Sequence, residues 1–420
     1  MITAFSVKKK NILSLLSLIK KRKTLTKSEM ASLTGLTIVT VNNTINDLLA
    51  KNIIVEDGSA VSNGGRKAAI YKLNNSGQYI VGVNIAVQRL AVSIFDFELN
   101  IVKSHTAFCE VDLMSIDECI FTIRETVNTL LDEAKIEKAS VMGVGVVVPG
   151  PVNYDCGLIY SLPNLKKWNN IPLKEILENE LALPVYVEND NNSSALLLKW
   201  SGVLRPNTTC VYLCTTEGIG SGMLINGEIY RGNRGASGEF GHITLNTAGE
   251  KCKCGNHGCL ELYSSDMAII KKISEHVKEK KSGILYDLCG GSVSKIDIAM
   301  ALEAVRLGEE DIWRFFVDAA RYIAMCIDTI LKVMAPNEII IENMWLDELK
   351  EVFSMLLDRV YENTDFFRRN DVKISLNTVT DTILLSPGAI VLDHLLTNTE
   401  DNKLLDLYGK AEENKKTVSV

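Results

Sequence analysis

Three cysteines and a histidine cluster in the second half of this 420-residue chain, among several glycines. They are His242, Cys252, Cys254 and Cys259. A Cys₃His set is one that Zn²⁺ favours where the protein fills every coordination position and the ion has a structural role. Gly255 and Gly258 permit tight turns, so Cys259 can return to an ion held by the other two cysteines. The segment therefore predicts one structural zinc ion per chain.

Two other interpretations of these thiols stay open at this point. The chain has ten cysteines, and buried thiols are often unreactive packing groups. The other seven are scattered along the sequence: Cys109, Cys119, Cys156, Cys210, Cys214, Cys289 and Cys326. A disulfide is the second alternative, but no feature of the sequence indicates export to an oxidising compartment. The clustering with a histidine and glycines favours a metal site.

Polar residues near these ligands and earlier in the chain could bind a sugar. Each ring hydroxyl of a sugar both donates and accepts a hydrogen bond, so its pocket needs a mixture of donors and acceptors. The candidate sugar-binding residues are Asn189, Asp190, Glu239, His242 and Glu261. Helix capping is the alternative for the first two. We expect Asn191 or Asn192 to cap the next helix, which leaves the earlier pair for the ligand.

Buried strands are predicted to position several of these groups. Residues 140–148 form a nearly all-apolar run typical of a buried strand, and Pro149-Gly150-Pro151 follow it. A short strand predicted over 185–187 leads into Glu188-Asn189-Asp190. Ligands of open α/β sheets bind at the carboxyl ends of strands, and both polar turns lie at such ends.

The remaining predicted elements complete an α/β pattern. Strands are predicted at 80–87, 90–97, 101–110, 209–214, 221–225 and 338–342, and helices at 116–134, 171–181, 192–200 and, as a run, 266–334. This order is typical of an α/β fold in two lobes. We expect a ligand cleft between the lobes, since such interfaces often hold binding sites.

Charge divides the chain unevenly. The first 75 residues carry 12 Lys and Arg against four acids, a net charge of +8. The rest carries 33 basic and 48 acidic residues, a net charge of −15. A basic segment on an acidic protein favours contact between that segment and a polyanion. A solvated, charged helix is the alternative, which the charge alone does not exclude.

The basic segment has the pattern of a helix-turn-helix. A first helix is predicted over 11–20, a second from residue 26 or 27 to 34 with Gly35 as its stop, and a third over 37–51 with Thr37 as its cap. One face of the third helix is apolar and is predicted to pack in the core: Ile38, Val41, Ile45, Leu48 and Leu49.

The opposite face of the third helix suits the major groove of DNA, because small side chains there can reach base edges and phosphates. Strands predicted at 53–56 and 68–73 would form a wing with a basic tip. The predicted DNA-binding residues are Thr37, Val39, Thr40, Asn43, Arg66 and Lys67. A helix-turn-helix can also be a protein interaction module. The basic charge, the capped helix and the Gly-Gly-Arg hairpin favour DNA.

The sequence gives no sign of a membrane span or a cleaved leader. No apolar run approaches the roughly 20 residues that cross a bilayer. The first residues imitate a signal peptide, but serines interrupt the apolar stretch at 12–19, and a basic run at 20–23 follows without a small-residue cleavage site. We therefore expect a cytoplasmic protein.

These motifs resemble those of the ROK family of repressors, open reading frames and kinases. The most specific are Gly-Glu-Phe-Gly-His at 238–242, Cys-x-Cys-Gly-x-x-Gly-Cys-x-Glu at 252–261, Glu-Asn-Asp at 188–190 and Pro-Gly-Pro at 149–151. The resemblance covers residues 11 to about 396 and is to the repressor branch. It implies a winged helix-turn-helix followed by a two-lobed, actin-like or ribonuclease-H-like domain of the sugar-kinase type. It also implies that the five candidate residues bind sugar, with His242 serving zinc and sugar through different ring nitrogens.

The same resemblance would imply a kinase if the nucleotide motifs were intact. Family kinases have Asp-x-Gly-Gly-Thr where this chain has Asn84-Ile85-Ala86-Val87-Gln88-Arg89, without the acid or the glycines. The second phosphate loop, at 215–222, is half preserved but carries Glu217, whose charge would repel phosphate. A glycine pair is expected where residues 342–345 are Glu-Asn-Met-Trp. We therefore expect no kinase activity and no catalytic residue, and a ligand-binding role for Asp190, the base of a family kinase.

Together these features predict a sugar-responsive transcriptional repressor of carbohydrate uptake or catabolism genes. Operator DNA, a sugar inducer and a second copy of the chain are the expected partners. The expected domains are the winged helix-turn-helix at 1–75, a first lobe at 76–195, a second lobe with the zinc site at 196–400 whose last helix returns to the first lobe, and a tail at 401–420, frayed from about residue 397. The alternatives are a sugar kinase with an atypical nucleotide site and a regulator that docks a phosphotransferase protein.

Overall fold

The computed structural model describes residues 4–59, 68–162, 165–205, 207–363 and 372–406. The chain forms two compact units. The first unit comprises residues 1–205 and 380–420, and the second comprises residues 206–379. Among the described residues, no helix is both long enough and apolar enough to cross a membrane.

The first unit begins with the three helices of the predicted helix-turn-helix. Helix α1 spans Ala4–Arg22, α2 spans Lys27–Thr34 and α3 spans Ile38–Ala50. The first helix is longer at both ends than the range predicted from its apolar residues. Lysines extend it, because lysine is a good helix former that leaves no apolar periodicity in the sequence.

The predicted stop of the second helix at Gly35 and the predicted cap of the third helix at Thr37 are confirmed. Thr26 and Glu29 form a reciprocal capping box at the start of α2, and Gly35 ends that helix in the left-handed conformation, with φ 70°. Thr37 caps α3, since its hydroxyl accepts a hydrogen bond from the backbone N–H of Thr40 at 3.2 Å.

A three-stranded antiparallel sheet in the order β1-β3-β2 completes this N-terminal head. Strand β1 spans Leu25–Thr26, β2 spans Ile54–Ser59 and β3 spans Ala69–Leu73. The two strands predicted for the wing are confirmed. The predicted wing tip, with Arg66 and Lys67, lies outside the described residues.

The apolar face of α3 differs from the prediction at its first residue. As predicted, Val41, Ile45 and Leu48 are fully buried and Val39 is 63% exposed, but Ile38 is 46% exposed. Side chains of a helix lean toward its N-terminus, so a residue in the first position leans past the end of the helix instead of onto the core. The prediction that Ile38 packs in the core is therefore wrong.

The main sheet of the first unit has five strands in the order β11-β7-β4-β5-β6. They are β4 Tyr79–Ala86, β5 Arg89–Phe95, β6 Ile101–Phe108, β7 Val141–Val148 and β11 Val185–Asn189. Strands β4, β7 and β11 are parallel, whereas β5 and β6 continue the sheet antiparallel. All five predicted strands are confirmed, with ends shifted by at most two residues.

Helices cover both faces of this sheet. Helices α4 (Ile116–Ala134) and α5 (Leu173–Leu181) share an apolar core with one face. Helix α14 (Thr382–Thr397) packs on the other face, where α6 (Asp190–Trp200) and the head helix α1 pack against it. The strands are therefore buried on both sides, which explains their nearly continuous apolar sequence.

Successive residues of each strand face opposite sides of the sheet, so they pack against different helices. On β4, Val81 and Val83 point into the core with α4, while Gly82 faces Pro387 of α14. On β7, a Cβ atom at Gly145 would lie 2.0 Å from the Pro387 carbonyl oxygen. Only glycine allows α14 to approach the sheet this closely.

A second, small sheet lies between β7 and α5 in the chain and corrects one prediction. Its strands, in the order β10-β9-β8, are β8 Val152–Asn153, β9 Leu158–Leu162 and β10 Leu165–Pro172. The helix predicted over 171–181 therefore starts too early. Ile171 pairs with Ile159 in the sheet, because Pro172 disfavours the helical conformation for the residue before it.

The second unit has its own five-stranded sheet, in the order β14-β13-β12-β15-β16. Its strands are β12 Cys210–Thr215, β13 Ile219–Ile225, β14 Glu228–Ile229, β15 Glu338–Glu342 and β16 Lys373–Leu376. Its helices are α7 Glu261–Ser264, α8 Asp266–Lys280, α9 Ile284–Leu288, α10 Ile298–Arg306, α11 Glu310–Met334, α12 Met344–Glu348 and α13 Lys350–Asn363. Helix α11 buries residues at helical spacing, such as Phe316, Ile323 and Ile327. The predicted α/β organisation of this region is confirmed.

The C-terminal segment is ordered further than predicted. Asn402, Leu404 and Leu405 are buried, and the Asn402 side chain donates to the carbonyl of Leu395 at 2.9 Å. The frayed tail expected from residue 397 is therefore wrong for residues 397–406, where two leucines pack despite the polar composition around them. Residues 407–420 lie outside the described part of the chain.

Candidate functional site

The four predicted metal ligands converge within the second unit. His242 ends a short 3₁₀ turn over Phe240–His242, and the cysteines lie in the loop that leads into α7. Three sulfurs and one ring nitrogen, one atom from each ligand, all lie within 4.8 Å of one another. Cys252 and Cys259 are buried, whereas Cys254 is exposed. Thiolate and imidazole donors held this close together fit a metal ion.

Backbone turns bring the last cysteine back to the others. Gly258 has φ +60°, and a Cβ atom there would lie 1.8 Å from the Asn246 carbonyl oxygen. Its carbonyl accepts from Leu245 N at 2.8 Å, and its own N–H donates to the Glu250 carbonyl at 2.8 Å. Glycine at this position thus permits the chain crossing that delivers Cys259.

The three thiols differ in acidity. Burial raises the pKa of Cys252 and Cys259 above the usual thiol value, whereas the backbone N–H of Asn256 lowers the pKa of Cys254. Ligation of a cation deprotonates a coordinating thiol, so metal binding at this set would favour the thiolate at all three cysteines. The Sγ atoms of Cys254 and Cys259 are 3.6 Å apart, compared with about 2.05 Å in a disulfide.

His242 lies between the metal-ligand set and two acids that are candidate sugar ligands. Its Nδ1 is 3.7 Å from Cys252 Sγ and 3.6 Å from Glu261 Oε1, and its Nε2 is 3.8 Å from Glu239 Oε2. The Cys252 thiol also donates to Glu261 Oε1 at 3.1 Å. The structure therefore brings Glu239, His242 and Glu261 together in the second unit.

Asn189 and Asp190 belong to the first unit, where β11 ends and α6 begins. Asn189 Oδ1 accepts from the backbone N–H groups of Asn191 and Asn192 at 2.9 and 3.1 Å, so Asn189 is the N-cap of α6. The prediction that Asn191 or Asn192 caps this helix is wrong, because the backbone is still extended at residue 189 and turns helical immediately after it. Asp190 Oδ1 accepts from the side-chain amide of Asn191 at 2.8 Å.

The cap also connects the two polar turns predicted at strand ends. The Asn189 side-chain amide donates to the carbonyl of Gly150, in the Pro-Gly-Pro turn, at 3.3 Å. Glu188 is buried and accepts from the Asn192 side chain at 3.0 Å. The carboxyl ends of β7 and β11 are thus held side by side, as their parallel pairing requires.

The first of the three stretches where family kinases carry nucleotide-binding motifs lies in the first unit, and its first residue, Asn84, is on β4. Asn84 is buried, and its side-chain amide donates to the Ile383 carbonyl of α14 at 3.4 Å. Its Oδ1 has no hydrogen-bond partner among the described residues.

The other two stretches, at 215–222 and 342–345, lie in the second unit and take part in side-chain hydrogen bonds that the sequence did not reveal. The Asn343 side chain donates to Thr215 Oγ1 at 2.8 Å, and the buried Trp345 donates to Asp266 Oδ1 at 3.1 Å. Burial and the nearby charge of Glu217 raise the pKa of Asp266 to about 6, although the Trp345 hydrogen bond opposes them. The partners are up to 128 residues apart in sequence, so no local signal could have found them.

The candidate DNA-binding residues on α3 surround its exposed first turn. Thr37, Val39 and Asn43 are exposed, and Thr40 is half-buried. The hydroxyls of Thr37 and Thr40 are hydrogen-bonded to each other at 2.9 Å. The structure places these four residues on one end of one helix. Their contact with DNA stays a prediction.

Comparison with known proteins decides the family. The sequence model of the ROK family matches residues 80–380, which include the metal-ligand set and all five candidate sugar ligands. The chain belongs to the ROK family. The predicted resemblance is thereby confirmed.

Relatives of this ROK protein come from two branches of the family. The xylose repressor of Bacillus subtilis is 28% identical over 391 residues, which cover 93% of this chain and 97% of that protein. The glucokinase of Thermotoga maritima is 31% identical over 230 residues, which cover 55% of this chain and 70% of that protein. The repressor match is too long to fit within residues 80–380, so it extends into the segments that flank the ROK match.

A solved structure resembles this ROK protein along nearly its whole length. The crystal structure of a ROK family transcriptional regulator, a homologue of the Escherichia coli MLC protein, has a TM-score of 0.80 at 20% identity. The match covers 96% of this chain and 99% of that chain. The likeness confirms the predicted fold, a helix-turn-helix head followed by a two-lobed domain of the sugar-kinase type.

Proposed function

We propose that this chain is a sugar-responsive, DNA-binding transcriptional repressor of carbohydrate uptake or catabolism genes. The observation that carries the proposal is a helix-turn-helix head joined to a ROK domain in one chain. Similarity to a xylose repressor over 93% of the chain supports it. A repressor acts where the chromosome is, so the proposal includes a cytoplasmic location.

The proposed DNA contacts are made by the head. They come from the first turns of α3 and from the wing, and are Thr37, Val39, Thr40, Asn43, Arg66 and Lys67. The exposed start of α3 supports the first four, because the N-terminal residues of a recognition helix reach base edges. The last two rest on the sequence of the wing tip, whose cationic side chains suit phosphates.

The proposed sugar ligands are Asn189, Asp190, Glu239, His242 and Glu261. Amide, carboxylate and imidazole groups together can satisfy hydroxyls that both donate and accept. The proximity of Glu239 and Glu261 to His242 supports this set in the second unit. In the first unit, Asn189 and Asp190 belong to the set on the basis of their sequence motif, and the capping hydrogen bonds of Asn189 occupy part of the capacity of its Oδ1 atom.

We propose one structural zinc ion per chain, held by His242, Cys252, Cys254 and Cys259. The Cys₃His donor set and its close spacing support zinc over other metals. When bound, the ion supplies a fixed anchor for the His242 ring. His242 and Glu261 would then keep their orientation toward a sugar without any catalytic role for the metal.

We further propose that the protein is not an enzyme. Asn343 and the buried Trp345 occupy the stretch where family kinases have a glycine pair, and two acids, Glu217 and Asp266, lie close together beside it. Negative charge there opposes phosphate binding. The specific observation that favours the alternative, a sugar kinase, is the 31% identity to a glucokinase together with the retained Asp190.

The proposed mechanism is a shift between two states of a dimer. In one state both heads fit the two half-sites of a palindromic operator, and sugar favours the other. A sugar can shift this equilibrium only by binding one state more tightly than the other. The proposal therefore requires that sugar and operator DNA weaken each other's binding.

Two assays test the proposed function. The full-length protein is expected to bind DNA from upstream of its own gene with an affinity that falls steeply as salt rises, because phosphate contacts release counterions. A thermal-shift panel of xylose, glucose and N-acetylglucosamine is expected to show stabilisation by at least one sugar. Absence of specific DNA binding would overturn the repressor. A silent sugar panel would instead favour a regulator that docks a phosphotransferase protein.

A third assay separates repressor from kinase. Incubation with the same sugars and MgATP is expected to yield no sugar phosphate above the background of Asp190→Asn. Phosphorylation that disappears in this variant would establish the kinase and overturn the non-catalytic role of Asp190.

A further inference from the structure

Three exposed apolar side chains flank the turn between α2 and α3. Leu33 is 52% exposed, Ile38 is 46% exposed and Val39 is 63% exposed. Val41, Ile45 and Leu48, further along α3, are fully buried. Single exposed apolar residues are common, but three within seven positions of the chain, one before and two after the turn, suggest a binding surface, which we call the apolar patch.

Two residues of this patch lie at the N-terminus of α3, the predicted recognition helix. Gly35 ends α2 and Thr37 caps α3, so Ile38 and Val39 are the first two residues of the helix. Ile38 and Val39 lie between two threonines, Thr37 and Thr40, whose hydroxyls are hydrogen-bonded to each other. In a helix-turn-helix, these first residues are the ones that contact base edges.

We propose that Ile38 and Val39 recognise thymine through its C5-methyl group in the major groove, an inference that rests on the proposed function. Among the groups that the four bases present in the major groove, the C5-methyl of thymine is the apolar one. An aliphatic side chain can therefore recognise a base there through contact with this methyl group. The operator half-site recognised by this chain then contains thymines at the positions that face residues 38 and 39.

Two further observations favour DNA over a protein as the occupant of this patch. The first 75 residues carry a net charge of +8, which complements a polyanion. Asn43 lies one helical turn after Val39 and is also exposed. Asparagine pairs with adenine, so the same helix face carries groups suited to both bases of an A·T pair.

Replacement of thymine by deoxyuridine tests the inference, because it removes only the methyl group. A binding site is first selected from random DNA with the full-length protein, and each thymine of a half-site is then replaced in turn. We expect about fourfold weaker binding for each methyl group that is buried in the complex. The same replacements are expected to have no effect in the double variant Ile38→Ala, Val39→Ala.

Matched variants keep the test decisive. Val333→Ala removes the same atoms from an exposed valine of α11 and is expected to retain the full sensitivity to deoxyuridine. If the alanine variant fails to fold, as judged by circular dichroism, Ile38→Ser with Val39→Ser replaces both aliphatic side chains by short polar ones and is expected to lose the sensitivity as well.

The outcomes distinguish this inference from the proposed function. Salt-dependent, sequence-specific binding with no penalty for deoxyuridine would overturn thymine recognition and leave the repressor intact. A lack of sequence-specific binding would overturn the repressor itself. If the alanine variant keeps the deoxyuridine penalty but changes the mass of the protein in sedimentation, the patch is a contact between protein chains, and the inference is wrong.

Discussion

His242 has a different set of neighbours at each ring nitrogen. Nδ1 faces Cys252 Sγ at 3.7 Å, and Nε2 faces Glu239 Oε2 at 3.8 Å. Glu261 contacts both Cys252 and the histidine ring. One imidazole and one carboxylate therefore connect the metal-ligand set to the proposed sugar ligands. A change in the cysteines is expected to affect both kinds of binding.

Substitution of Cys254 tests this connection. We expect wild-type protein to contain about one zinc per chain and Cys254→Ser to contain far less, because the loss of one thiolate leaves an incomplete tetrahedral set. Stabilisation by sugar should fall together with the metal content. Elemental analysis and thermal shift measure the two effects.

The control is Cys156→Ser, since Cys156 is exposed like Cys254 but lies outside the cluster. It is expected to retain both zinc and sugar binding. A Cys254→Ser protein with a full complement of zinc would contradict the ligand set.

At the residue level, the sequence predicted some features well for a physical reason. The four candidate metal ligands lie close together in the chain, with glycines among them, so their spacing alone indicated that they converge. The cap of α6 was misassigned among Asn189, Asn191 and Asn192. Any of these side chains can cap a helix, and the choice depends on where the backbone leaves the extended conformation, which composition does not reveal.

Among the elements, helix α1 connects the head to the rest of the first unit. It packs on α14, and Ser17 Oγ donates to the Leu396 carbonyl at 2.8 Å. Lys20 is only 1% exposed and lies 2.9 Å from Glu98, which also pairs with the exposed Lys23. Burial alone would raise the pKa of Glu98, but the two ammonium groups outweigh it and hold that pKa below its usual value.

Removal of this carboxylate is expected to destabilise the first unit. Burial lowers the pKa of Lys20, and Glu98 opposes that shift, so Glu98→Gln leaves a buried ammonium group without its anion. We expect a loss of about 3 kcal/mol in the free energy of unfolding at neutral pH, the low end for a buried pair because Glu98 is partly exposed. Because the Glu98 pKa is lowered in the folded state, this contribution is complete above about pH 4.3 and is lost as the pH falls through the folded-state pKa.

Denaturant titrations at pH 7 and pH 3 measure the effect. The difference between wild type and Glu98→Gln should shrink at the lower pH. Glu133→Gln removes an exposed partner of Lys103 and is expected to change the free energy of unfolding by less than about 1 kcal/mol. Equal effects of the two substitutions would contradict a buried ion pair between α1 and the first unit.

The start of α8 gives a pH prediction of the opposite sign. The Asp266 pKa of about 6 lies above its usual value, mainly because of burial. Its contribution to stability is therefore complete below about pH 3.9 and is lost as the pH rises through 6. Asp266→Asn keeps an oxygen for Trp345 and has no charge, so it should be more stable than wild type at pH 8, by about 1 to 2 kcal/mol.

Melting temperatures between pH 4 and pH 8 check this expectation. The wild-type stability of the second unit should decline across that range relative to Asp266→Asn. Asp318→Asn, at an exposed position of α11, serves as the control and should follow the wild-type profile. A parallel decline of Asp266→Asn and wild type would show that Asp266 is not the responsible group.

Elements with strong periodicity were predicted well, and those without it were not. Apolar alternation and runs located the five strands of the first unit's main sheet and β12, β13 and β15 of the second unit's sheet, whereas the short strands β14 and β16 were not predicted. Helix α4 was predicted over its observed range. Strand β10 was missed, because Lys-Lys-Trp-Asn-Asn shows no period of two and its partner strand lies earlier in the chain. The exposure of Ile38 was missed because the spacing of apolar residues predicts which face of a helix is buried but not where along the helix the core ends.

At the scale of the whole molecule, the distribution of charge and the extent of the family match divide the chain at nearly the same place. The basic net charge belongs to the first 75 residues, and the family match begins at residue 80. Similarity to a repressor extends over both parts, whereas the glucokinase relative matches 55% of the chain. These facts support a DNA-binding head attached to a sugar-binding domain.

Within the first unit, a continuous set of contacts joins Asp190, one of the proposed sugar ligands, to the head. Helix α6 begins at Asp190 and ends at Trp200. The Trp200 indole donates to Asp393 of α14 at 3.0 Å, and the Lys21 ammonium of α1 lies 5.4 Å from the centre of its ring. A change in the position of the start of α6 can therefore be transmitted through these contacts to α1, the first helix of the head.

The most direct test of the account is the affinity for operator DNA with and without sugar. Fluorescence anisotropy would use the upstream DNA of the gene and the sugar that stabilises the protein in thermal shift. We expect that sugar to weaken DNA binding by about five- to 150-fold in wild type. Asp190→Asn should bind DNA normally and lose the response. A sugar that binds the protein and leaves its affinity for DNA unchanged would contradict the sugar-responsive repressor.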